Sequence, residues 1–182
     1  IGANVPCSIL DETARKYFKI WEMACFSGFL NAQAAAQRMV ARGRGRIINT
    51  ASFAGLAGAP GLMTYSVAKA GVVALSESLR AELHAQGVGV SVVCPSFFRT
   101  NLCDNFRGST RMQAVANRLM DQAAESADDI ARAVHEQAQA GVFLILPTRA
   151  ERWRWRFKRW LPEAYFRKLL EQTGARVARA AP

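Results

Sequence analysis

The chain has no stretch near the roughly 20 consecutive apolar residues that a helical membrane span needs, which excludes an integral helical membrane protein. Cysteine and histidine are scarce, at four and two in 182 residues. Cys7, Cys25, Cys94 and Cys103 form no C-x-x-C pair and no cluster with His84 or His135, which argues against a metal site and a disulfide framework. A reducing, cytoplasmic setting is the default for such a chain. Residues 1–10 lack the basic start and apolar run of a secretory signal. No G-x-x-x-G-x-G run occurs, so a glycine turn for phosphate is missing too. Acidic residues are few, 14 against 24 Lys and Arg, for a net charge of +10. The imbalance is concentrated in residues 151–182, which hold nine basic and three acidic side chains. Such a tail suits an anionic surface. No nucleic-acid recognition module accompanies it, so nucleic acid is not an expected partner.

The length and the 51% hydrophobic, 21% charged composition fit one folded globular domain. From Asp11, a suitable N-cap, the residues Phe18, Trp21, Cys25, Phe29, Ala32, Ala36 and Met39 recur at steps of three and four. They predict a long helix or helix pair over about 11–41. Arg46–Ser52 reads as a strand, and its adjacent Ile47 and Ile48 predict burial on both faces. Phe53–Gly61 reads as a loop, 62–86 as a helix ended by Gly87, and Val88–Cys94 as a second buried strand. Strand, helix, strand is a βαβ unit, the mark of a parallel α/β sheet.

An irregular segment to about Gly108 follows, with Phe97, Phe98, Leu102 and Phe106 as an apolar cluster that suits either a substrate pocket or ordinary core. Next comes a helix with Met112, Val115 and Leu119 on one face. Ser126 and Asp129 have capping-box spacing and open another helix to about Ala140, and Val142–Leu146 reads as a third strand. Asp128 and Asp129 suit a helix N-terminus better than a paired-carboxylate site. His84 and His135 fall at polar helix positions. Composition changes at 150, dividing the chain into an α/β portion, 1–149, and a basic, Trp-rich amphipathic helical extension, 150–182. There Trp153, Phe157 and Trp160 share one helical face, and Trp155 falls on the charged side. Two readings of 151–180 stay open: a peripheral membrane contact, or a helix pair packed on the domain.

Ligands of parallel α/β sheets bind at the carboxyl ends of strands, where Ser52 and Pro95-Ser96 stand. Tyr65 and Lys69, four apart near the start of the connecting helix, share one face. A phenol titrates near pH 10, and a nearby cation favours its ionised form. Ser52 can donate a hydrogen bond to a carbonyl oxygen as it gains charge. This set suits hydride exchange at a carbonyl, with the protein supplying the proton and the positioning.

The run Gly45-Arg46-Ile47-Ile48-Asn49-Thr50-Ala51-Ser52 resembles the catalytic-serine strand of the short-chain dehydrogenases/reductases. Tyr65-Ser66-Val67-Ala68-Lys69-Ala70-Gly71 is similar to their Tyr–Lys helix, and Cys94-Pro95-Ser96-Phe97-Phe98-Arg99-Thr100 to their nicotinamide-side loop, with Ser96 where Gly is usual. The resemblance covers roughly residues 1–146. It implies the C-terminal part of a Rossmann-type doubly wound parallel sheet. Tyr65 is then the catalytic acid/base, and Lys69 binds the nicotinamide ribose and lowers the Tyr65 pKa. Ser52 orients the substrate oxygen. Pro95, Ser96, Phe98 and Thr100 hold the nicotinamide of NAD or NADP, largely through backbone apart from the Thr100 hydroxyl, and Phe97 faces an apolar substrate. Residues 102–124 become a substrate lid, and the helices at 11–41 and 62–86 a homo-oligomer contact. The implied activity is carbonyl–alcohol interconversion on an apolar or amphipathic small molecule. The alternative is a noncatalytic relative, a scaffold or membrane-associated binding protein.

The family's relay Asn in the first long helix is replaced by Ala24 or Cys25, which predicts slower proton transfer or direct use of water. Its glycine-rich phosphate turn, ribose selector and Asn-Asn-Ala-Gly strand end are expected before residue 1, as about three βα units of roughly 30 residues each. With Ile1 in first place, about 90 further residues upstream are therefore expected.

Overall fold

The computed structural model describes residues 9–100 and 110–178, in which three parallel strands carry helices on both faces. The elements are α1 (Ala14–Trp21), a π-helical turn (Glu22–Phe26), α2 (Ser27–Ala41), β1 (Gly45–Thr50), α3 (Phe53–Ala57), α4 (Met63–Leu83), β2 (Val88–Val93), α5 (Thr110–Asp121), α6 (Ala127–Gln139), β3 (Leu144–Ile145), α7 (Arg149–Trp160) and α8 (Pro162–Ala178). The strand order is β1-β2-β3, with Gly45 opposite Val88 and Val93 opposite both Thr50 and Ile145. This is the expected doubly wound α/β architecture. Alternate residues of β2 supply both cores. Val88 and Val90 pack with Ala32 and Ala36 of α2 and Leu83 of α4. Val93 and Ile145 pack with Ala138 of α6 on the opposite face. Val92 and Ile145 are fully buried, each side chain contributing roughly 1.5–3 kcal/mol.

The first helix departs from its predicted stripe. Its N-cap is Thr13, whose hydroxyl accepts the Lys16 N–H at 3.3 Å, and not Asp11. Ile20, Cys25, Ala32 and Ala36 are buried, whereas Phe18, Trp21 and Phe29 are exposed. The π turn is the physical reason for Phe18 and Trp21, which precede it. One extra residue in that turn shifts the register, so the inward positions run 20 then 25. An aromatic ladder is left outside, with Trp21 on Phe26 at 5.7 Å and Phe26 on Phe29 at 6.0 Å between ring centroids.

Ile47 is buried, as expected, but Ile48 is 43% exposed. Among the described residues, α6 covers β2 and β3 and no helix core encloses the Ile48 face of β1. The predicted 53–61 loop contains α3. The predicted third strand shortens to two residues, with Val92 N–H and Cys94 N–H bonded to the carbonyls of Phe143 (2.7 Å) and Ile145 (3.0 Å). Gly87 ends the α4 region at φ 73, a left-handed conformation that glycine adopts at little cost. Ser126 and Asp129 form the predicted capping box, which holds the exposed Asp129 carboxyl below its usual range, chiefly through the Ser126 hydroxyl. His84 and His135 are exposed.

The C-terminal extension turns a different side inward from the predicted one. Trp153 and Trp160 are 63% and 72% exposed, whereas Trp155 and Tyr165 pack on the core of Phe53, Leu56 and Leu146. The helix pair thus packs on the domain. No described helix is long and apolar enough to cross a membrane. Cys7, Cys103, Leu102 and Phe106, and the side chains of Met112 and Val115, lie outside the described residues, as does the first part of the expected 102–124 lid.

Candidate active site

The carboxyl ends of β1 and β2 are joined by backbone hydrogen bonds. Ala51 N–H donates to the Val93 carbonyl (2.8 Å) and Phe53 N–H to the Pro95 carbonyl (2.9 Å). The two strand-end sequences singled out above therefore lie side by side. Between them Ser52 leaves the strand as the N-cap of α3, its Oγ accepting the Ala54 N–H at 3.2 Å. A Cβ at Gly55 would lie 2.6 Å from the Lys69 carbonyl carbon, so only glycine lets α3 sit directly on the α4 backbone.

That seating brings Ser52 to the first turns of α4, where its side chain stands beside the Tyr65 hydroxyl. Lys69, one turn further on, is 7% exposed. Its Nζ donates to the Thr50 carbonyl at 2.9 Å and lies 5.8 Å from the Tyr65 ring centroid. Ser52, Tyr65 and Lys69 thus form one cluster at the strand ends.

The electrostatics correct one expectation. Burial pushes the Tyr65 phenol above its ordinary value, and the neighbouring Ser52 side chain offsets only part of this. The expected lowering by Lys69 does not prevail: the phenol is raised, and the Lys69 ammonium is directed at the Thr50 carbonyl. Burial also lowers the Lys69 pKa, against the opposing influence of the neighbouring Cys25 and Cys94 thiols. The Cys94 thiol is pushed up to about 12 by burial, so it is a packed neutral group and not a nucleophile. At neutral pH the cluster holds a protonated phenol beside a buried ammonium.

An ammonium has three donors, and the Thr50 carbonyl takes one. A buried cation with donors to spare, beside a phenol at the strand ends, fits the paired hydroxyls of a ribose. Beyond Cys94 the chain runs as Pro95 to Thr100 without helix, tied to the start of α6 by Arg99 N–H on the Glu125 carbonyl (3.3 Å). Phe97 is 44% exposed, Phe98 is half-buried and Thr100 lies at the surface. Cys25 occupies the π turn and packs against Gly71 of α4, adjacent to the cluster. Two concavities, about 310 Å³ between α2 and α4 and about 460 Å³ between α3, α4 and α7, include none of Ser52, Tyr65 and Lys69. At this ledge of strand ends Ser52 and Tyr65 are half-buried and Lys69 is buried.

Sequence reading missed three groups that reach this ledge from α7: Glu151, Arg154 and Lys158. Thr148 and Glu151 have capping-box spacing, a signal that marks the helix start and nothing more.

Residues 2–111 match the family model described as short chain dehydrogenase. The 3-oxoacyl-[acyl-carrier-protein] reductase of Haemophilus influenzae is 35% identical over 131 residues, covering 72% of this chain and 52% of that protein. A short chain dehydrogenase/reductase from Burkholderia phymatum, solved in complex with NAD, is similar at a TM-score of 0.77 and 23% identity, over 87% of this chain and 63% of that one. A short-chain dehydrogenase from Sphingobium yanoikuyae, in complex with NADPH, gives a TM-score of 0.68 at 25% identity, over 84% and 57%. The chain spans about half the length of the curated relatives it matches, 41%, 52% and 48% for three of them.

Proposed function

The chain belongs to the short-chain dehydrogenase family, and on that premise we propose that it is the substrate- and nicotinamide-side part of an NAD(P)-dependent oxidoreductase. It interconverts a carbonyl and an alcohol on an apolar or amphipathic small molecule. The observation that carries this reading is the buried Lys69 ammonium, on the Thr50 carbonyl at 2.9 Å and 5.8 Å from the Tyr65 ring centroid, with the Ser52 side chain beside the Tyr65 hydroxyl. A bound nicotinamide dinucleotide supplies or accepts the hydride. Tyr65, kept protonated by burial, gives its proton to the carbonyl oxygen in reduction and takes one back in oxidation. Ser52 donates a hydrogen bond to that oxygen as charge develops. Lys69 holds the ribose hydroxyls. Pro95, Ser96, Phe98 and Thr100 hold the nicotinamide, and Phe97 gives the substrate an apolar neighbour. Reduced Cys25 and Cys94 suit a cytoplasmic enzyme.

The test is a panel of ketones and alcohols followed by nicotinamide absorbance in the intact protein. Ser52→Ala is expected to lower kcat by roughly 10²–10³ while leaving nucleotide affinity unchanged, since the serine acts on the substrate oxygen. Undiminished turnover in this variant would sink the reading.

The proposal extends to a homo-oligomer formed through α1–α2 and α4. Trp21, Phe26 and Phe29 are each 38% exposed yet already stacked on one another, so a second copy can bury a preformed aromatic surface. Phe29→Glu is expected to convert the assembly to monomer in light scattering. An unchanged mass would exclude this face as the contact.

A further inference from the structure

α7 lies beyond the residues that the family model matches, yet it holds the nicotinamide side of the site at three points. Glu151 is 2% exposed. One of its carboxylate oxygens accepts the Thr148 N–H at 2.9 Å, closing the capping box of α7. The other accepts the Ser96 N–H at 2.5 Å, across 55 residues. One turn on, Arg154 Nη2 donates to Ser96 Oγ at 2.8 Å, and its guanidinium lies 4.4 Å over the Phe53 ring, next to Ser52. A further turn on, Lys158 donates to the Leu56 carbonyl in α3. Capping accounts for the Thr148 bond and not for the one to Ser96. A buried carboxylate is costly unless donors meet both oxygens, and here the second donor is the loop that follows β2.

We propose that Glu151 is a positioning residue for the nicotinamide: with Arg154 as a second arm, it fixes Ser96 and so sets the course of residues 95–100. This rests on the proposed function, which places the nicotinamide at those residues. A consequence is that the Ser96 N–H is already taken and cannot serve the ligand. The Ser96 hydroxyl, by contrast, accepts from Arg154 and keeps its own proton to donate. Ser96 thus acts through its hydroxyl, as a donor to an acceptor such as a carboxamide oxygen, where the resemblance had implied the backbone.

The experiment compares Glu151→Gln with Thr148→Ala in the intact protein. Glutamine keeps the shape but has one acceptor oxygen for two amides. The Thr148 change removes the hydroxyl that accepts the Glu151 N–H at 3.2 Å and leaves the carboxylate on Ser96. Both variants should lose thermal stability. Only Glu151→Gln should speed hydrogen exchange at the Ser96 amide and weaken binding of reduced nicotinamide dinucleotide, by about tenfold in Kd. Glu151→Ala should show the same changes more strongly. If exchange and Kd move no further in Glu151→Gln than in Thr148→Ala, Glu151 is only a helix cap and the proposal falls. Faster exchange with an unchanged Kd also overturns it. If the unaltered protein binds no dinucleotide, the proposed function fails, and the exchange data show that failure to be separate from loss of the clamp.

Discussion

Tyr65→Phe is expected to lower kcat by roughly 10²–10⁴, the range over which a positioned acid or base accelerates proton transfer. Phenylalanine keeps the ring and its packing and deletes only the hydroxyl, so the melting temperature should move little. The hydroxyl stands beside the Ser52 side chain, and burial keeps its proton on at neutral pH. The sign of the pH dependence follows. Reduction consumes the protonated phenol, so its rate should be flat through neutral pH and fall only above the raised phenol pKa. Oxidation needs the phenolate, so its rate should climb through the alkaline range. Both limbs should vanish from the residual activity of the Phe variant. A Phe variant with undiminished turnover, or with the same alkaline limb, would remove Tyr65 from the mechanism. The limb is to be read from kcat, which reports the complex.

Gly55→Val is expected to be as damaging, although Gly55 has no chemistry of its own. A Cβ there would meet the carbonyl carbon, the carbonyl oxygen and the next amide nitrogen of α4 at 2.6, 2.8 and 2.9 Å, all backbone atoms around Lys69 that cannot turn aside. α3 must lift away from α4, and Ser52, its N-cap, moves with it. Overpacking of this kind costs about 1–3 kcal/mol, and a displacement near 1 Å at a reacting group costs on the order of 10²-fold in rate. Gly28→Ala is the control. It lies in α2 with nothing within 4 Å of the new Cβ, and exchanging glycine for alanine there should add up to about 1 kcal/mol. Turnover that survives Gly55→Val would show that the seating of α3 does not position Ser52.

Much of this site is legible in the chain because its logic is local or periodic. Tyr65 and Lys69 are four apart, which is one face of a helix wherever that helix lies. The βαβ unit is readable because β1 and β2 are short, β-branched and bounded by turn residues around one helical period. The Ser126 capping box needs only four residues. What could not be read is what depends on register and distance. The π turn at Glu22–Phe26 turned Phe18 and Trp21 of the predicted stripe outward, because one inserted residue rotates everything before it. α3 was hidden by its glycine content, which reads as loop and in fact permits close packing. Trp155 was assigned to the charged side of its helix and is an anchor of the fold, because the direction of the core from α7 is set by where β3 ends.

The residues therefore determined, by themselves, the fold class and singled out Ser52, Tyr65 and Lys69 as candidates, since propensity, periodicity and family motifs act along the chain. The tertiary structure decided which groups meet. It directed Lys69 at the Thr50 carbonyl and left Tyr65 a protonated acid, because the balance between desolvation and nearby charge exists only once burial is known. It also carried Glu151 to the Ser96 amide, because a buried carboxylate in the packed interior must find its donors where the fold places them, however far apart they stand in the chain.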